Sequence, residues 1–112
     1  MQRRLPVLAT GRSIDAVYVV NLAHRGDRWA SMERQLRDVC RWPMDRVTRF
    51  EAIQGKDYDC AALQRAGFLS RLGALRVPLA ESERIWGMDL NPGAVGCALS
   101  HISLWATIAA ER

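Results

Sequence analysis

Apolar residues fall along this chain in runs whose spacing alternates between strand-like and helix-like. Residues 14–22 are nearly continuous in apolar character, with Val17, Val19 and Val20 at their centre. That is the pattern of a strand covered on both faces, so a central β-strand is predicted there. Beyond it Trp29, Met32, Leu36 and Val39 recur at i, i+3, i+7 and i+10. This spacing predicts one face of a helix that Asp27 caps and that ends near Cys40. Pro43 marks a turn over 41–45, residues 47–53 read as a second strand, and Gln54-Gly55 closes it. Residues 57–66 are predicted as a short helix stopped by Gly67. Strand, helix, strand, helix in this order predicts an α/β fold, the opening of a parallel, Rossmann-like sheet with flanking helices and a right-handed crossover.

The second half of the pattern is less regular. Residues 68–90 show no clean period, and Gly73, Pro78 and Gly87 predict an irregular excursion. Asn91-Pro92 is a strong helix start, because Asn accepts from orphan N–H groups and Pro fits a first turn that has no use for its missing donor. The last helix is predicted from about residue 93 to the end. On it Val95, Ala98, Leu99, Ile102, Ala106 and Ala109 share one side, and Cys97, His101, Leu104 and Ile108 make a second apolar side. Only a strip of small residues, Gly96, Ser100, Ser103 and Thr107, is left as the polar side. A helix apolar on nearly all sides belongs in an interior. The second side is therefore predicted to lack cover and to favour self-association.

Composition narrows the class. The 112 residues are read as one domain over 14–112 behind a lead-in over 1–13, and hydrophobic residues at 49% with charged ones at 25% exclude a disordered chain. No continuous apolar run reaches the ~18 residues of a membrane span, and the N-terminus lacks a secretory h-region, so a cytoplasmic setting is expected, peripheral to the inner membrane at most. Three cysteines without a C-x-x-C spacing argue for buried free thiols over a disulfide framework or zinc site. Charge is uneven: residues 1–49 hold ten Arg against five acids, whereas 50–112 hold six basic residues against seven acids. All the basic residues except Lys56 are Arg, the better fork for phosphate oxygens. These arginines are scattered among acids with no basic run, which argues against a nucleic-acid partner.

Two stretches carry candidate chemistry. Ligands of open α/β sheets collect beyond the carboxyl ends of the strands, and there V-Y-V-V-N-L-A-H-R-G-D-R (17–28) places Asn21, Leu22, Arg25 and Arg28. Charge rules leave open whether Arg28 serves a ligand or pairs with Asp27 or Glu51. In G-C-A-L-S-H-I-S-L-W (96–105), Ser100 and His101 lie about 100° apart on a helix and form no nucleophile–base pair. His101 alone reads either as a general base or as a satisfied interior group. Asp57-Tyr58-Asp59 has the form of a metal-binding Asp-x-Asp, but its place at a helix start favours capping.

Both stretches resemble the glycosyltransferase family 25 domain, whose bacterial members build lipopolysaccharide and whose animal members glycosylate collagen. The resemblance covers residues 16–112, with Leu99, Ser100 and His101 on the family's L-S-H motif and Gly55-Lys56-Asp57 on its G-K-D/E-like stretch. It implies a GT-A-like sheet and transfer of a hexose, galactose foremost, from a nucleotide sugar such as a UDP-sugar to a saccharide or lipid-linked saccharide acceptor. It implies a nucleotide-sugar pocket containing Asn21, Leu22, Arg25 and Arg28, with Ser100 and His101 as candidates for the active cleft. Mn²⁺ or Mg²⁺ is expected for the complete family domain, whose metal-binding acids follow a later strand. The resemblance thus implies a partial domain with no metal site and no assigned catalytic base, inactive alone. The alternative is a non-catalytic nucleotide-binding or protein-interaction domain.

Overall fold

The computed structural model describes residues 14–85 and 89–111. The predicted lead-in over 1–13 and Gly87 lie outside them. The chain divides into two compact units, the first ending at Glu51 and the second beginning at Ala52. The architecture is mixed α/β with a two-stranded parallel sheet and flanking helices, a partial Rossmann-like start.

In the first unit β1 (Val17–Asn21) runs parallel to β2 (Val47–Glu51), in register from Val17 opposite Val47 to Asn21 opposite Glu51. Both strands are shorter than predicted. Ladder pairing stops where the partner stops, and β2 ends at Glu51 because the Ile53 N–H is given to the Ser100 hydroxyl instead of to a strand. β1 is half-buried along most of its length and has one neighbour among the described residues, where the prediction has a strand covered on both faces.

The connection is α1 (Gly26–Arg34), prolonged by a π-helical turn over Gln35–Val39. Arg25 takes the N-cap position predicted for Asp27 and offers no side-chain acceptor. Asp27 instead falls in the first turn, where a negative charge favours the free N–H groups. Of the predicted apolar face Leu36 is buried and Trp29 half-buried, while Met32 is 39% exposed and the face fails most at Val39, which is 74% exposed. The reason is the π turn: the Cys40 N–H reaches back five residues to the Gln35 carbonyl (3.0 Å), and the extra residue rotates Val39 off the stripe. Arg41, at φ 57°, ends the helix in the left-handed region, which costs a non-glycine residue about 1 kcal/mol or more.

The second unit opens with a 3₁₀ turn at Gly55–Asp57 and α2 (Cys60–Arg65). The helix starts three residues later than predicted because Asp59, and not Asp57, is the cap that accepts from the Ala61 N–H (3.2 Å). Gly67 ends this segment at φ 86°, as its position foretells. Within the supposedly irregular 68–90 lies α3 (Arg71–Arg76), capped by the Ser70 hydroxyl on the Gly73 N–H (3.0 Å). Six residues are too few to display a period. After it, Asp89 collects Arg76 through two oxygens (2.5 and 2.7 Å) and the Ile85 N–H (2.7 Å). The last helix, α4 (Pro92–Ala110), starts at the predicted Asn91, whose side chain accepts from the Ala94 N–H (2.7 Å).

Leu63, Val77, Val95 and Leu99 make the core of this unit, with Ile53, Cys60 and Leu69 packed against it. Each such aliphatic side chain contributes roughly 1.5–3 kcal/mol by leaving water. The faces of α4 are distributed differently from the prediction. Gly96 and Ser100, assigned to the polar strip, are buried, Leu104 of the second apolar side is buried too, and Ile102 and Trp105 are exposed. Small residues go inward because backbone comes so close: a Cβ on Gly96 would lie 2.6 Å from both the Gly55 nitrogen and the Ile53 oxygen. By length and composition α4 is also apolar enough to cross a membrane, which counting uninterrupted apolar runs does not register. The cysteines are free, but Cys40 and Cys97 are exposed and Cys60 is half-buried, against the expected burial.

Candidate functional site

The residues proposed for nucleotide binding share one turn, the connection from β1 to α1. Asn21 closes β1 and is buried, Leu22 is half-buried, and Arg25 and Arg28 flank the start of α1. The parallel register places Arg49 of β2 opposite Val19. Alternate residues of a strand share a face, so Arg49 lies on the same side of the sheet as Asn21. Its guanidinium donates to Asn21 Oδ1 from Nε (2.9 Å) and Nη2 (2.6 Å), and from Nη2 to the carbonyls of Leu22 (3.3 Å) and Ala23 (3.1 Å). The same group lies 5.5 Å from the centre of the Trp29 ring on α1, a cation–π distance. Asn21 in turn donates from Nδ2 to the Arg25 carbonyl (3.4 Å), and the Arg25 N–H closes a turn on the Leu22 carbonyl (2.9 Å).

Arg25 forks onto Asp27 with two 2.9 Å bonds. The charged bond raises the guanidinium's pKa and, with help from the Arg28 N–H, holds the Asp27 carboxyl far below the usual carboxylate range. Asp27 is 67% exposed at its side chain, so this pair is screened by solvent and contributes little to stability. Arg28 is exposed and joins no ion pair among the described residues. Of the two partners considered for it, Asp27 is thus taken by Arg25. Chemically the turn offers one forked and one uncommitted guanidinium beyond the carboxyl end of a strand, a setting for anionic oxygens.

Ser100 and His101 are neighbours on α4 in the second unit. Ser100 has no exposed surface, and both functions of its hydroxyl are in use: it donates to the Gly96 carbonyl (2.6 Å) and accepts from the Ile53 N–H (2.8 Å). His101 is half-buried, with Nδ1 2.8 Å from the Cys97 carbonyl. A carbonyl can only accept, so Nδ1 is the donor in this contact, and Nε2 meets no hydrogen-bond partner among the described residues. Trp105 packs edge-on against that ring at 6.2 Å.

Metal ligation finds no matching donor set. No three His, Cys, Asp or Glu side chains come together among the described residues, and Asp59 of the Asp-x-Asp segment is occupied as a helix cap. Sequence reasoning missed Arg49 altogether. The signal was present, since a charged residue inside a strand of an otherwise apolar pattern needs an acceptor within reach.

Comparison with known proteins gives a consistent family. The profile of glycosyltransferase family 25 (LPS biosynthesis protein) matches residues 14–112. Human "Inactive glycosyltransferase 25 family member 3" is 33% identical over 98 residues, 87% of this chain and 14% of that protein. Its mouse counterpart is 30% identical over 109 residues, 96% of this chain and 16% of that protein. Xenopus laevis "Procollagen galactosyltransferase 1-A" is 31% identical over 96 residues, 86% of this chain and 14% of that protein. The chain thus spans about one-seventh of the length of these curated relatives. No solved structure matches it significantly. With nearly the whole chain covered by the profile and by relatives at this identity, the protein belongs to glycosyltransferase family 25.

Proposed function

We propose that this chain supplies the nucleotide-sugar side of a family 25 hexosyltransferase. The reaction of the whole protein is transfer of galactose from UDP-galactose to a saccharide or lipid-linked saccharide acceptor, in cytoplasmic assembly of a cell-surface glycan such as lipopolysaccharide. The observation that carries the reading is the β1–α1 turn, with Arg25 and Arg28 at the carboxyl end of a parallel strand. A departing nucleoside diphosphate spreads charge over several oxygens, and Arg forks answer that geometry. In this reading Mn²⁺ or Mg²⁺ is held by acids of the GT-A-like family domain other than those described above. The tasks of this chain are to bind and orient the donor.

A second reading has its own support. Relatives named inactive match at the same identity as the one named a galactosyltransferase, so this stretch suits a non-catalytic nucleotide- or partner-binding domain equally well. Calorimetric titration with UDP and UDP-galactose tests the binding that both enzyme and nucleotide-binding domain require. Arg28→Ala is expected to weaken UDP by about 1.5–3 kcal/mol, the worth of a charged hydrogen bond. Equal UDP binding by folded Arg25→Ala and Arg28→Ala overturns the assignment. Transfer from UDP-galactose to a saccharide acceptor by a longer protein containing these residues then separates enzyme from binding domain.

A further inference from the structure

We propose that Arg49 is the positioning residue of the β1–α1 turn and that Asn21 serves as its strut instead of touching the nucleotide. The inference rests on the nucleotide-binding reading for its ligand, but its geometry is independent of it. Arg49 grips the turn at four places: the Asn21 amide oxygen, the Leu22 and Ala23 carbonyls, and the face of Trp29 in the first turn of α1. These contacts join the last residue of β1 to the first turn of the helix that carries Arg28. Asn21 has spent its oxygen on Arg49 and directs its Nδ2 to the Arg25 carbonyl. Its side chain therefore relays the hold of Arg49 to the backbone of Arg25.

The division of labour is a chemical one. A guanidinium has five donors in a fixed plane, enough to serve Asn21 and two carbonyls while lying over an aromatic ring. A lysine ammonium at the same point cannot reach all of them together. The loop has no regular hydrogen-bond ladder of its own, and α1 lacks a side-chain cap. Without Arg49, the carbonyls of Leu22 and Ala23 lose its donors, and the turn keeps the Arg25 N–H bond to Leu22 and the bonds that the Arg25 carbonyl accepts from the Trp29 N–H and Asn21 Nδ2.

The test is a double-mutant cycle on the 112-residue chain with Arg49→Lys, Asn21→Ala and the pair, each confirmed folded by circular dichroism at low temperature. Hydrogen exchange of the Arg25 amide reports the turn, and calorimetric UDP affinity reports the arginines. Arg49→Lys is expected to speed that exchange at least tenfold and to weaken UDP about tenfold. The double variant is expected to be no worse than the poorer single one, because both residues act through the same turn. Losses of UDP affinity that multiply would show Asn21 touching the nucleotide directly and overturn the proposal. Unchanged Arg25 exchange in folded Arg49→Lys also overturns it, as does faster exchange with unchanged UDP affinity. If the parent chain binds no UDP, the nucleotide reading fails by itself. The exchange arm then decides alone, faster exchange upholding the hold of Arg49 on the turn and unchanged exchange refuting it.

Discussion

Each of the two units of this protein is stabilised internally by different physics. In the first, the buried residues among those described are Asn21, Leu36 and Pro43, and the long-range contacts that define the turn are hydrogen bonds from one guanidinium. In the second, four aliphatic residues form a core, and two glycines let backbone meet backbone beside it. Hydrogen bonds exchanged for water contribute about 1 kcal/mol each, whereas buried aliphatics contribute more and tolerate no added volume. The first unit is therefore expected to be sensitive to chemistry and the second to size.

Adding one methyl group is the severest test of the second unit. A Cβ at Gly55 would sit 1.8 Å from the Pro92 carbonyl oxygen, and backbone cannot yield as a side-chain tip can. Gly55→Ala is expected to cost at least the upper end of the roughly 1–3 kcal/mol seen for overpacking, read as a lower urea midpoint. A midpoint equal to the parent's would show that the unit is not close-packed there. Ser100→Ala should come next, at about 1–3 kcal/mol, because it leaves the Ile53 N–H without its partner inside the fold. Ser100→Thr is no rescue if the pocket is as tight as the zero exposure indicates.

Acid probes the Arg76–Asp89 ion pair of the second unit. The forked bond from Arg76, helped by the Ile85 N–H, lowers the Asp89 carboxyl to about 2. An unfolded aspartate titrates near 4, so the stabilisation is complete above about pH 4 and is lost as pH falls through about 2. Shifts of the Ile85 amide in an NMR titration should follow that window, and a midpoint near 4 would mean the carboxylate is unpaired in solution. Least of all should Asp27→Ala matter to stability. Its pair with Arg25 is exposed, so the thermal midpoint is expected to stay within error while UDP binding changes through the freed guanidinium. A clear fall in the midpoint would show that the first unit relies on this pair after all.

What could be read from the sequence follows the same divide. Asn91 and Gly67 are local signals, and both hold because a cap and a left-handed glycine depend on their nearest neighbours. The β1–α1–β2 order is likewise visible in the change of period. Arg49 on Asn21 spans 28 residues, and the contact of Gly55 with Gly96 leaves no hydrophobic trace, since neither residue has a side chain. Hydrophobic pattern assigned Gly96 and Ser100 to the polar side of α4 for the same reason: it ranks side chains by polarity and cannot see that small size admits a neighbouring backbone. The L-S-H triplet was legible as a motif, but its serine proves to be part of the packing, and its histidine has a ring nitrogen, Nε2, with no partner among the described residues.

The π turn over Gln35–Val39 gives the first unit slack in length. Five residues there cover the distance that four would take in an α-helix, so the segment carries one residue more than its geometry needs. Removing a single residue between Gln35 and Val39 should let the turn relax to ordinary α-helix without pulling on Gly26–Arg34, whereas the same deletion between Gly26 and Trp29 would rotate Trp29 away from Arg49. Changes in chain length can thus be absorbed on the far side of Leu36 while the arginine-bearing turn stays where β1 and β2 hold it.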